Sequence, residues 1–124
     1  MKTKLIIFGG ILLILLAIFH LLFWKLFNWQ EELPKLSDTN SGIIQISTIG
    51  FASLLFPLGI ILIRYYVEIA NTKLGKALLF SLSFFFLIRT IAEFIFPGSS
   101  IELGVFLFLY TLVFLVPALI KNKN

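Results

Sequence analysis

Long apolar runs separated by short polar stretches make up most of the chain. Four of them, at residues 5–24, 43–66, 77–96 and 103–120, are long enough to cross a hydrocarbon core about 30 Å thick. The runs do not alternate between apolar and polar positions, as the strands of a membrane barrel would. Helices are the remaining spanning form, and with their flanking turns we expect them at about 5–27, 42–66, 75–96 and 101–120.

The composition agrees with this pattern. Of 124 residues, 60% are hydrophobic, 15 are Phe, and only 13% are charged. A soluble domain of this size has too little interior to hide so much apolar surface. The sequence therefore predicts an all-α membrane protein, with residues 1–124 forming a single four-helix transmembrane bundle.

The first apolar run follows two lysines, Lys2 and Lys4, as a signal peptide would. It continues through bulky residues as far as Trp24 without a small-x-small cleavage site. We therefore expect it to remain in the protein as the first helix.

Basic residues near the segment ends predict the orientation. One side carries seven and the other two, Lys25 and Lys35. Because cytoplasmic loops are enriched in Lys and Arg, both termini are expected in the cytoplasm. The net charge of +4 is then a topology signal rather than a nucleic-acid footprint, and the expected partner is the lipid bilayer. The seven are Lys2, Lys4, Arg64, Lys73, Lys76, Lys121 and Lys123.

The connections differ in length. Residues 97–102 leave room only for a tight outer turn, so the third and fourth helices are expected to be antiparallel neighbours. Residues 67–76 are expected to form a cytoplasmic turn. Caps are predicted for the second helix within residues 37–41, and for the third helix at Asn71 or Thr72.

Small residues mark where helices approach closely in lipid. In the fourth helix Gly104, Thr111 and Ala118 recur at seven-residue steps, so this stripe is expected to face other helices. Trp24 and Trp29 follow the first helix, as the aromatic residues of a membrane interface do. They are predicted to be interface anchors.

Arg89 and Glu93 stand one helical turn apart inside the third apolar run. At about 1.5 Å per residue they lie about 10 Å and about 5 Å inside Phe96. Charges at such depth are costly, so both are expected to turn inward and pair. His20, Gln45 and Glu102 fall in the same outer layer and complete the predicted polar cluster.

Two interpretations of this cluster stay open. In the structural one, His20 and Gln45 satisfy the Arg89–Glu93 pair and the network fixes which helices meet. In the functional one, the same groups line an outward-opening pocket for a lipid head group or an amphipathic small molecule. The nearly apolar inner half argues against a continuous ion path.

The sequence offers little catalytic chemistry. It has no Cys and one His, which removes thiol chemistry and multi-histidine metal centres, and it lacks the common metal, phosphate-loop and serine-hydrolase motifs. We expect no cofactor, no metal and no catalytic residue. A binding or accessory role requires the fewest features that the sequence does not show. An intramembrane enzyme and a transport component, either acting on a lipid-like molecule, stay open as alternatives. A homo-oligomer stays open as well.

Five sequence features span most of the chain: His20-x-x-Phe23-Trp24-x-x-Phe27-x-Trp29, Leu33-x-x-Leu36, Asn40, Asn71-Thr72-x-Leu74-Gly75-Lys76 and Arg89-x-x-x-Glu93. In these features the chain resembles a group of uncharacterised small bacterial four-helix integral membrane proteins. The resemblance implies residence in the bacterial inner membrane and implies no catalytic or binding residues. In size and helix count the chain is also similar to the sterol isomerase and sigma-2 receptor superfamily, whose members hold amphipathic ligands between their helices. That superfamily's motif has no residue-by-residue match here, so the similarity concerns the fold alone.

Overall fold

The computed structural model describes residues 1–98 and 100–122, and every regular element in that part of the chain is helical. Ser99 in the predicted outer turn, and Lys123 among the counted basic residues, lie outside the described residues together with Asn124. The helices are α1 Lys2–Leu21, α2 Phe23–Leu26, α3 Trp29–Glu32, α4 Asp38–Arg64, α5 Tyr66–Asn71, α6 Lys73–Ile95 and α7 Ile101–Leu119. Helices α1, α4, α6 and α7 are long and apolar enough to cross a membrane.

The first helix is shorter than the expected 5–27. Helix α1 ends at Leu21, and the chain continues through the two single-turn helices α2 and α3. Asn28 between them has a positive φ of 51°, a left-handed conformation that Asn tolerates better than most residues. The apolar pattern misses this break because residues 22–27 remain apolar or aromatic around one lysine.

The segment after α3 leads into the long helix α4. A 3-10 turn at Leu33–Lys35 contains Pro34, and α4 begins at Asp38, four residues before the predicted start at 42. The Ser37 hydroxyl accepts a hydrogen bond from the Asn40 amide at 3.2 Å. A cap within residues 37–41 is therefore confirmed. Helix α4 begins before residue 42 because the cap at Ser37 satisfies an amide of the first turn, so the polar residues that follow Ser37 can be helical.

The predicted turn at 67–76 is wrong for most of its length. Residues Tyr66–Asn71 form α5, and α6 already begins at Lys73. The Thr72 side chain accepts from the Gly75 amide at 3.0 Å, which confirms Thr72 as the cap. A Cβ at Gly75 would overlap the Ile69 backbone, so α5 and α6 meet at a corner that only glycine permits.

The chain divides into two compact units. Unit 1 comprises the described residues among 1–10 and 61–124, and unit 2 comprises residues 11–60. Unit 1 therefore holds the start of α1, the last turn of α4, and α5, α6 and α7. Unit 2 holds the rest of α1 and α4 and the short elements between them.

In unit 1, α6 and α7 pack antiparallel, as expected from the short turn between them. The Phe86 and Phe114 rings stack with centroids 5.6 Å apart, and the Ser83 hydroxyl donates to the Thr111 carbonyl at 3.3 Å. A Cβ at Gly104 would overlap the Phe94 ring. The predicted stripe of Gly104, Thr111 and Ala118 is buried throughout.

The start of α1 is tied to the end of α7. The Lys2 ammonium donates to the Ile120 carbonyl at 3.2 Å and to the Asn122 side-chain oxygen at 2.9 Å. About two turns further in, a Cβ at Gly9 would come within 2.6 Å of the Phe114 ring. A cation at a helix C-terminus complements its dipole, so Lys2 stabilises this junction.

Candidate functional site

The Arg89–Glu93 pair forms as expected. The Arg89 Nη1 atom donates to Glu93 Oε2 at 2.8 Å, one turn along α6. The two side chains differ in burial, with 8% of the Glu93 side chain exposed and 44% of the Arg89 side chain. The expectation that both turn inward is therefore right for Glu93 and wrong for Arg89.

Glu93 has a second partner that the sequence did not suggest. Its Oε1 atom accepts a hydrogen bond from the Ser100 backbone amide at 3.3 Å. The buried carboxylate thus links the last turns of α6 to the residue that precedes α7. Both of its oxygens are engaged by donors, an arrangement that stabilises an anion and suits a structural tie better than a general base.

Ser100 extends this link to Glu102. The Ser100 hydroxyl accepts from the Leu103 amide at 3.3 Å and so caps α7. It also donates to Glu102 Oε2 at 3.1 Å. A hydrogen-bonded chain therefore runs from Arg89 through Glu93 and Ser100 to Glu102, and we call these four residues the turn cluster.

The sequence contains a signal for the capping role of Ser100. Serine immediately before an apolar run is a common helix cap. The bond from its amide to Glu93 could not be predicted, because it depends on how the turn folds back toward α6.

Arg89 is the half-exposed cation of the turn cluster. Among the described residues, its one hydrogen bond is to Glu93, while a guanidinium carries five N–H donors. Its side chain reaches toward Glu93, that is, toward the C-terminal end of α6. A half-exposed guanidinium in an otherwise apolar stretch can bind a phosphate or carboxylate group.

Gln45 and Trp24 form a polar contact within unit 2. The Trp24 indole donates to Gln45 Oε1 at 3.1 Å. The Gln45 amide in turn donates to the Ser41 carbonyl at 3.3 Å and to the Ser41 hydroxyl at 3.2 Å. This contact ties the residues that follow α1 to the first turns of α4.

His20 lies among aromatic rings of unit 2. Its ring centroid is 4.7 Å from that of Phe23 and 6.0 Å from that of Phe51. Its Nδ1 atom is 2.8 Å from the Leu16 carbonyl. These surroundings suit a packed, hydrogen-bonded imidazole.

The two tryptophans are in contact. Trp24 and Trp29 pack edge to face with centroids 4.9 Å apart, and Trp29 also meets Phe23 at 5.8 Å. Amphipathic rings grouped in this way are typical of a membrane interface. Their role as anchors stays a prediction.

Each of the five predicted cluster residues has partners within its own unit. Arg89, Glu93 and Glu102 belong to the turn cluster, while Gln45 and His20 have their own partners in unit 2. That His20 and Gln45 join the Arg89–Glu93 pair stays a prediction. Within residues 1–98 and 100–122, no group of three His, Cys, Asp or Glu side chains is placed to hold a metal ion.

No protein-family model, curated protein or solved structure matches the chain. We therefore infer what the chain does from the chemistry of its own residues.

Proposed function

We propose that the chain is a multi-pass protein of the bacterial cytoplasmic membrane, with both termini in the cytoplasm, that acts as a binding or accessory protein. Its ligand is an amphipathic molecule whose anionic head group pairs with Arg89 in the outer half of the membrane. The observation that carries the proposal is the half-exposed Arg89 guanidinium beside a buried carboxylate.

The membrane location is supported by four helices of sufficient length and apolarity. The orientation is supported by the excess of basic residues at one set of helix ends. The bacterial membrane is supported by the resemblance described above.

The ligand class follows from the energetics of Arg89. An arginine in the hydrocarbon region costs a few kcal/mol unless it is paired or reaches water. Glu93 compensates the charge, but it shares its own charge with the Ser100 amide. The remaining guanidinium donors match the oxygens of a phosphate, and the exposed apolar side chains of α6 match an alkyl chain.

A role in binding is favoured over catalysis by the same geometry. Glu93, the one buried carboxylate of the described residues, has both oxygens occupied. Transfer of a proton to Glu93 would weaken its bonds to Arg89 and Ser100. The turn cluster is thus better suited to holding a ligand than to acid-base work.

Orientation can be tested by single-cysteine labelling, since the chain has no cysteine of its own. A cysteine at Gln30, in exposed α3, should react with a membrane-impermeant maleimide added to intact cells. A cysteine at Glu68, an exposed position of α5, should react only after lysis. The reverse pattern would overturn the orientation.

Binding can be tested with a single-chain alkyl phosphate, compared with an alkyl maltoside of the same chain length. We expect the phosphate to raise the unfolding midpoint of the purified chain, and Arg89→Gln to weaken its binding at least tenfold. Lys25→Gln removes an exposed cation from α2 and serves as the matched control. Inorganic phosphate alone shows whether the alkyl chain contributes.

Arg89→Gln leaves Glu93 buried without its cation, so the double variant Arg89→Gln/Glu93→Gln is needed as well. If it folds normally and binds the alkyl phosphate as tightly as the unmodified chain, the head-group role of Arg89 is wrong. Equal binding of the phosphate and the maltoside would also contradict the proposal.

A further inference from the structure

Six basic residues gather at one end of unit 1, and we call them the basic collar. Lys2 contacts the end of α7, and the antiparallel packing of α6 and α7 brings the start of α6 to the same end. The corner between Ile69 and Gly75 joins α5 to that start. The collar consists of Lys2, Lys4, Arg64, Lys73, Lys76 and Lys121.

The collar cations have no carboxylate partners among the described residues. The two ion pairs found there are Arg89–Glu93 and Lys35–Glu32, and neither involves the collar. Glu68 is the one acidic residue of unit 1 outside the turn cluster. Six basic residues and one acidic residue give this end of unit 1 a strong excess of positive charge.

Two of these cations are held in place without being neutralised. Lys2 donates to uncharged oxygens of Ile120 and Asn122. The Lys76 ammonium lies 5.8 Å from the centre of the Phe80 ring, within the range of a cation–π contact. Neither contact cancels the positive charge of its ammonium, so both charges remain available to an anion.

The surroundings of the collar favour a lipid over a soluble anion. Leu74, between Lys73 and Lys76 in sequence, is 81% exposed, and Leu119 near the end of α7 is 61% exposed. Apolar side chains beside cations match a molecule that carries an anionic head group on hydrocarbon chains. A nucleic acid or free phosphate would gain nothing from these exposed leucines.

We propose that the basic collar binds the head groups of anionic phospholipids in the cytoplasmic leaflet. A charge excess accounts for orientation, but it does not require lysines that are held by neutral groups and accompanied by exposed leucines. This proposal rests on the orientation given under the proposed function, and it is independent of the role of Arg89.

The test titrates the purified chain with dioctanoyl phosphatidylglycerol or dioctanoyl phosphatidylcholine and measures both affinities by native mass spectrometry. We expect a preference of at least tenfold for the anionic lipid at low salt. Lys73→Gln/Lys76→Gln should lower the affinity for the anionic lipid about fivefold for each lysine removed. The double variant should fold, because neither lysine makes a hydrogen bond through its side chain within the described residues.

The matched control is Lys25→Gln/Lys35→Gln, which removes the same charge outside the collar and should keep the preference. Arg89→Gln should remove at most the phosphatidylglycerol molecule held at Arg89, and the loss caused by Lys73→Gln/Lys76→Gln should be the same with or without it, so failure of the collar and failure of the Arg89 site are distinguishable. Equal affinity for the two lipids, or equal losses in both double variants, would overturn the proposal. If a DNA oligonucleotide binds more tightly than phosphatidylglycerol, the proposal is also overturned, because the collar then binds a polyanion rather than a lipid.

Discussion

The turn cluster and the basic collar lie at the two ends of α6 and differ in how their charges are compensated. In the turn cluster a buried carboxylate is satisfied by a guanidinium and a backbone amide. In the collar, lysines are held by neutral groups and by an aromatic ring. A buried charge must be compensated within the protein, since its desolvation is costly. An exposed charge can instead be left for an external partner, which is why the collar cations are candidates for lipid binding.

The largest effect should come from breaking the turn cluster. Glu93→Leu leaves Arg89 without its acid and Ser100 without its acceptor, so we expect a loss of about 2–3 kcal/mol in the free energy of unfolding. Arg89→Leu/Glu93→Leu should recover part of that loss, because no unpaired cation remains. Chemical unfolding in mixed micelles measures both variants.

Glu102→Gln is the control for this prediction, since it removes an exposed acid from the same cluster. It should change the free energy of unfolding by less than about 0.5 kcal/mol. If all of these variants unfold like the original chain, then the pair contributes nothing to folding and our account of the cluster is wrong.

The next effect should come from the corner that positions the collar. Gly75→Ala places a methyl group against the Ile69 backbone, which cannot move without opening α5 from α6. We expect a loss of about 1–3 kcal/mol, the usual cost of overpacking. A weaker preference for anionic lipid should accompany it, because Lys73 and Lys76 shift with the start of α6.

Gly50→Ala is the matched control in α4, where a Cβ meets nothing within 4 Å. It should be neutral or stabilise the helix by up to about 1 kcal/mol. Equal effects of the two alanine substitutions would show that the corner is not tightly packed.

The smallest effect should come from exchanging charge between two helix starts. Lys73 lies in the first turn of α6 and Glu102 in the first turn of α7, where the helix dipole favours acids. In neutral detergent Lys73→Glu should stabilise the chain by about 0.3–1 kcal/mol, and Glu102→Lys should destabilise it by a similar amount.

The effect of Lys73→Glu should depend on whether the micelles contain anionic lipid. In micelles that contain phosphatidylglycerol, Lys73→Glu should lose its advantage, because a collar lysine that binds lipid has been removed. If Lys73→Glu stabilises the chain as much in the anionic micelles as in neutral detergent, then Lys73 does not take part in lipid binding.

The sequence by itself determined the parts of this protein that depend on local pattern. Four apolar stretches were enough to predict four helices capable of spanning a membrane, since length and apolarity are properties of the segments alone. The caps at Ser37 and Thr72 follow from side chains that bond to amides three residues on. The antiparallel packing of α6 and α7 follows from the short turn between them.

The tertiary structure decided what depends on contacts between distant residues or on subtle backbone choices. Apolar periodicity did not reveal the end of α1 at Leu21, because the residues beyond it remain apolar. It did not reveal α5, whose corner depends on the fit of Gly75 against Ile69. Pairing of Arg89 with Glu93 was predictable from their spacing, but the exposure of Arg89 and the bond from Ser100 to Glu93 were not. Both depend on how the chain folds back at the end of α6, and only the packed structure determines which groups are covered there.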